Sequence, residues 1–117
     1  MLKRATCLLM TMWALQSCGY VWGVTHCDFR EVETPPRCQE REGAAGAAFM
    51  AICEVTKGSP VEGPCPREDL VAGCRGETNP AMVATDWYYR AEGAEPVRTR
   101  DDVKPICDED GYTLVDP

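Results

Sequence analysis

Apolar and polar positions change rhythm along this chain in one order, and the order occurs twice. Around Cys27 and Cys74, "VTHCDFRE" and "VAGCRGET" alternate as strands do. "RCQER" and "ATDWYYR" read as their partner strands. In the second, Trp87 and Tyr89 fall on one face and Tyr88 on the other. "ETPP" and "RGETNP" supply the turn residues between them. The period then lengthens. Phe49, Ile52 and Cys53 are spaced i, i+3, i+4, and Val103, Ile106 and Cys107 repeat that spacing. Each set predicts a helix with one narrow buried stripe. Pro105 is tolerable if the second helix starts at Asp101 or Asp102, where no amide donor is needed, which makes that helix about two turns long. Gly58 and Gly111 stand where caps or turns belong, and a short strand follows each.

Both isoleucines of the chain precede a cysteine, in "ICEVTKG" and "ICDEDG". Aligning Cys27 with Cys74 also brings "RCQEREGA" opposite "WYYRAEGA", matching Glu42-Gly43-Ala44 to Glu92-Gly93-Ala94. "SPVEGP" and "YTLVDP" then close the two halves. An ordered series of this kind is the signature of an internal repeat. The expected fold is therefore α+β: a small disulfide-rich domain with an antiparallel sheet, built from two strand-strand-helix-strand repeats at about 24–64 and 71–117. Equivalent units should carry equivalent bridges, which predicts Cys27–Cys53 and Cys74–Cys107. The two cysteines without counterparts, Cys38 and Cys65, are left to pair with each other. In a chain this short, such bridges are a large share of stability, at roughly 2–4 kcal/mol each.

The first segment falls outside this pattern. "MLKR" is basic, and "ATCLLMTMWALQ" is an apolar run too short to span a bilayer. Residues 1–17 read as a signal peptide. The following "LQSCG" resembles a bacterial lipobox, although Gln16 is an unusual occupant. That resemblance implies cleavage before Cys18 and a lipid on the Cys18 sulfur, leaving 18–117 as the mature domain anchored to a membrane. The competing site is ordinary cleavage after Gly19, with Ser17 and Gly19 as the two small residues. Either way Cys7 departs, and six cysteines remain for an oxidising compartment.

Charge removes one class of partner. Loss of Lys3 and Arg4 with the leader takes the net charge from −7 to −9. No basic patch is left to hold phosphates, so nucleic acid is not an expected partner. Plentiful Ala, Gly, Pro and Arg with a single asparagine, Asn79, suggest a GC-rich bacterial source.

Catalytic and metal chemistry has little to build on. The cysteines are widely spaced and His26 is the only histidine, which does not suit zinc. A serine triad would need Ser59 and His26, and no elbow motif surrounds Ser59. "DEDG" (Asp108 to Gly111) resembles a fragment of a calcium loop, but a full loop needs twelve residues with a closing Glu, and the stretch reads as an acidic helix end with a glycine turn. Glu31/Glu33 and Glu40/Glu42 have the spacing of a solvated strand face. No catalytic residue, metal ligand or cofactor is expected. The aromatic group Trp87, Tyr88 and Tyr89 is the candidate contact surface for a protein or glycan, against the plainer reading as core.

One resemblance remains. "GPCPREDLVAGC", then "WYYRAEG", then a helical stretch ending in Cys, is similar to small cysteine-rich secreted proteins and lipoproteins of myxobacteria and related deltaproteobacteria. It covers roughly Cys27 to the end. This chain departs from the pattern in its Val-Ala-Gly-Cys and in single glycines, Gly58 and Gly111, where a pair is usual. The resemblance implies bacterial export and carries no known activity. The expected function is thus a non-enzymatic structural or binding role at the cell envelope. The alternative is a secreted effector, toxin-like or inhibitor-like, with "EVETPPR" (Glu31 to Arg37) as the displayed loop.

Overall fold

The computed structural model describes residues 23–43, 46–79 and 82–117. Residues 1–17, expected from the sequence to be a signal peptide, and Cys18 lie outside the described residues. The elements run β1 (Val24–Asp28), β2 (Arg37–Gly43), α1 (Gly46–Val55), β3 (Ser59–Glu62), β4 (Leu70–Asn79), β5 (Met82–Tyr89), α2 (Arg100–Asp110) and β6 (Thr113–Val115). The order β-β-α-β occurs twice, in one antiparallel six-stranded sheet ordered β3-β1-β2-β5-β4-β6. Each half contributes three neighbouring strands with its first strand in the middle, and the halves meet where β2 pairs β5.

Register makes the correspondence residue by residue. Cys27 pairs Gln39 and Cys74 pairs Asp86, so Gln39 and Asp86 are equivalent, and they also pair with each other at the seam. Directly paired residues share a face. The row Pro60, Cys27, Gln39, Asp86, Cys74, Leu114 therefore crosses one face of the sheet. That face receives both helices, through the Cys27–Cys53 and Cys74–Cys107 bridges, with Cα separations of 5.6 and 5.1 Å. The register also corrects one sequence match. Glu42 lies in β2, whereas Glu92-Gly93-Ala94 lie beyond the end of β5 in the connection to α2, so the shared "EGA" is not structurally equivalent.

The adjacent row, with Asp28, Cys38, Trp87 and Gly73, faces the other way. Here the segment from Gly63 to Asp69, which carries the chain from edge strand β3 to β4, crosses the back of the sheet. It is held at several points. The His26 Nδ1–H donates to the Gly63 carbonyl at 2.9 Å. The Cys65 amide donates to Glu40 at 2.8 Å, and the Tyr89 hydroxyl to the Pro66 carbonyl at 2.7 Å. The Arg67 guanidinium stands 5.0 Å from the Trp87 ring centre. Cys38–Cys65 fastens this crossover from one half to the other. The three bridges are the pairs expected from the sequence, and Cys65 sits in the crossover, three residues past β3.

The helices differ from expectation in three respects. α2 starts at Arg100 and runs for 11 residues, with Pro105 inside it. Asp102 explains the early start, accepting from the amides of Arg98 (2.8 Å) and Thr99 (3.0 Å) at the N-terminus. Pro105 is exposed and so is Asp101, whose carbonyl it leaves without an amide, so water can serve that group. Both helices then end alike. The residue in the left-handed region is Lys57 (φ 70°) after α1 and Gly111 (φ 71°) after α2. Gly58 N–H bonds the Cys53 carbonyl at 2.9 Å and Tyr112 N–H the Cys107 carbonyl at 2.8 Å, the six-to-one closure of a Schellman end. The cap of α1 is thus Lys57 rather than Gly58. Finally, Phe49, Cys53, Val103 and Cys107 are buried, but Ile52 is 59% exposed, outside the stripe assigned to it. Ile106, its counterpart, is partly buried against the second core.

Candidate functional site

The connections after β2 and β5 account for that last difference. β2 reaches α1 within a few residues, whereas ten residues, Arg90 to Thr99, join β5 to α2. This longer connection is closed on itself. Ala91 and Val97 exchange backbone hydrogen bonds of 3.0 and 2.9 Å, and Arg98 pairs with Glu92 across it. Pro96 and Val97 are thereby set beside Ile106. The first half has no such segment, and Ile52 is left in solvent.

Between this connection and the β1–β2 loop lies a cleft of about 420 Å³. Glu33, Thr34 and Pro35 form one wall. Glu95, Pro96 and Val97 form the other, Asp102 and Ile106 of α2 stand at its end, and Tyr88 of β5 lines it. Tyr88 faces the helices because Trp87 and Tyr89, its neighbours on β5, face the crossover.

Beside the cleft lies a half-buried charge cluster. Arg37 begins β2 on the helix-facing side. Its Nη1 donates to Asp86 at 2.8 Å, while Nε and Nη2 donate to the two oxygens of Glu33 at 3.1 and 2.8 Å. Gln39 Nε2 adds a second donor to Asp86 at 2.9 Å. The Arg37 guanidinium also covers the Phe29 ring at 4.5 Å. Burial opposes the Arg37 charge, but Glu33 and Asp86 outweigh it and raise its pKa above the ordinary guanidinium value. Burial, and after it the Asp86 carboxylate, pushes the Tyr88 hydroxyl up to about 12. Asp102 is held below the usual carboxylate range by the two amides that it accepts.

The candidates drawn from the sequence distribute as follows. Trp87, Tyr88 and Tyr89 are 6, 7 and 3% exposed, so they do not form an open contact surface. Trp87 and Tyr89 pack with the Cys38–Cys65 bridge under the crossover, where Gly73 leaves room for the indole. Tyr88 lines the cleft. His26 is buried in β1 and committed to Gly63, and Asp108 pairs with Lys104 at 2.8 Å. Among the described residues, no group of three side chains converges as a metal site would require. The Glu31–Arg37 loop curls back on itself, with the Val32 and Glu33 amides both bonded to the Phe29 carbonyl. Its arginine is turned into the charge cluster.

Sequence reasoning missed the Arg37–Asp86 cluster and the Glu95–Val97 wall. A signal for the first was present. Asp86 interrupts an apolar strand with the same parity as its neighbour Tyr88, and a carboxylate buried there needs a partner. The wall had no such signal, because it depends on how a loop folds over a helix. Comparison with protein-family models, curated proteins and solved structures finds no match to this chain.

Proposed function

We propose that this chain is an exported bacterial cell-envelope protein, lipid-anchored through Cys18, whose duplicated, disulfide-stapled domain is a non-catalytic binding module. The single observation carrying export is the set of three bridges in a domain of this size. Such bridges persist where thiols are not kept reduced. The leader pattern, the "LQSCG" stretch and the likeness to small secreted myxobacterial proteins support the same reading. The equivalence of Gln39 and Asp86 at the seam supports duplication.

The contact surface in this reading is the cleft around Tyr88. Two of its three carboxylates already have structural work: Glu33 orients Arg37, and Asp102 caps α2. That favours binding over acid–base chemistry, which needs a carboxyl freed and tuned in an apolar setting. The inhibitor alternative is weaker, because Arg37 is engaged by two carboxylates and is not displayed.

Two experiments test the reading. Mass spectrometry of the protein from its native host, before and after reduction, should give an acylated N-terminus at Cys18 and three bridges. A mature terminus at Tyr20, or Cys18 without lipid, would remove the anchor. A photo-cross-linker placed at Ile106 should capture an envelope partner that the same group at Glu68, in the crossover, does not. Equal capture from both positions would remove the cleft as the contact surface.

A further inference from the structure

We propose that the Tyr88 cleft receives a lysine or arginine side chain, flanked by aliphatic residues, from a polypeptide partner. The inference rests on the cleft being the contact surface and names the chemistry that surface recognises.

Three features carry it. Glu33, Glu95 and Asp102 surround the cleft, and no basic side chain lines it. The chain as a whole is acidic, at −7. A guest bearing positive charge is favoured at close range and during approach. Glu95 forms no ion pair among the described residues, unlike Glu33, which is engaged by Arg37, and Asp102, which caps α2. One carboxylate is thus left for a guest.

Tyr88 is independent of that charge. Its side chain is more than nine-tenths buried and lines the cleft, yet its hydroxyl makes no hydrogen bond with any described residue. The hydroxyl oxygen is not one of the fully enclosed unpaired atoms, so it opens into the cleft, whereas the Tyr89 hydroxyl is spent on Pro66. A hydroxyl can accept from an ammonium or guanidinium, and the Asp86, Asp110 and Glu33 carboxylates that act on it, opposed in part by the Arg37 guanidinium, favour such a donor. The third feature is apolar. Pro35, Pro96, Val97 and Ile106 offer surface to an alkyl stem, as long basic side chains require. The volume is also in the range of sites that hold a small guest, roughly 300–1,000 Å³.

The test uses the mature chain, isotope-labelled, with capped hexapeptides as probes. One set carries a central Arg or Lys between aliphatic residues, and the other has citrulline or norleucine there. Amide shifts should centre on Tyr88, Val97 and Ile106, and the charged peptides should bind about tenfold tighter. Tyr88→Phe should leave the melting temperature unchanged, because the hydroxyl has no internal partner, yet weaken the charged peptides roughly three- to tenfold. Glu95→Gln should weaken them about threefold, and Glu68→Gln, in the crossover, should not. Equal affinity for arginine and citrulline peptides at the cleft overturns the cationic guest and leaves the contact surface standing. Unchanged affinity in Tyr88→Phe, or no cleft shifts with any peptide, also overturns the inference. Cross-linking at Ile106 then decides separately whether the cleft is a contact surface.

Discussion

A double-mutant cycle at Gly76 and Tyr112 tests the correspondence between the two halves at a single packing position. By register Gly76 is the counterpart of Phe29, and Tyr112 is the counterpart of Gly58. In the first half, Phe29 fills the space under the end of the helix, and Gly58 leaves it free: a Cβ at Gly58 would stand 2.8 Å from the Phe29 ring. In the second half the sizes are exchanged. Tyr112 fills the space, and a Cβ at Gly76 would stand 2.5 Å from its ring. Gly76→Phe alone forces two rings into one volume, which should cost about 3 kcal/mol or more. Tyr112→Gly alone removes a partly buried ring and should cost about 2–3 kcal/mol, below the full aromatic-to-small loss. Together the changes recreate the first half's arrangement. The double variant should lie within about 2 kcal/mol of the parent, with a coupling of at least about 2 kcal/mol. Urea unfolding followed by circular dichroism, with the bridges intact, reads each variant. If the two costs add to within about 0.5 kcal/mol, the rings do not share one space and the correspondence fails.

Other outcomes follow from the same geometry. Gly58→Ala should destabilise more than Gly76→Ala, because its Cβ would also run into the Cys27 sulfur and stand 2.9 Å from that of Cys53, and these cannot move aside as a ring edge can; thermal melts compare the two. Lys57→Gly should raise stability by about 1 kcal/mol, since Lys57 occupies the left-handed position that Gly111 fills after α2. Replacing Cys38 and Cys65 by Ala should cost about 3.5 kcal/mol from the chain-entropy estimate, and should lower amide-exchange protection in the crossover before it does so under the helices. Tyr88 and Tyr89 are each pushed up to about 12, mainly by burial. Their neutral forms favour the folded state, so that stability is present below about pH 10 and is lost as pH rises through about 12. Absorbance at 295 nm should show two late-ionising tyrosines, and ionisation of both near pH 10 without unfolding would contradict their burial.

Much of the fold was legible because disulfides and strand alternation are local or countable signals. Cys27, Cys53, Cys74 and Cys107 recur at matching places in two similar stretches, and that recurrence alone proposes two bridges. Trp87, Tyr88 and Tyr89 also show how far alternation reaches. It separates Tyr88 from the other two correctly, but it does not say that the crossover covers one side and two helices the other, so their exposure was open. Ile52 and Ile106 are indistinguishable in local pattern. What buries one and exposes the other is a ten-residue connection in one half only.

From its sequence alone this protein is determined as an acidic, cysteine-paired chain of strands and helices in the order β-β-α-β, twice. Those properties come from charge count, side-chain period and the parity of half-cystines, which need no partner from elsewhere in the chain. Tertiary structure decides which residues meet across the seam. It sets Arg37 between Glu33 and Asp86, lays the crossover over Trp87, and opens the cleft at Tyr88. These arrangements join residues tens of positions apart. They depend on register and loop length, and a shift of one residue in register would turn each side chain to the opposite face.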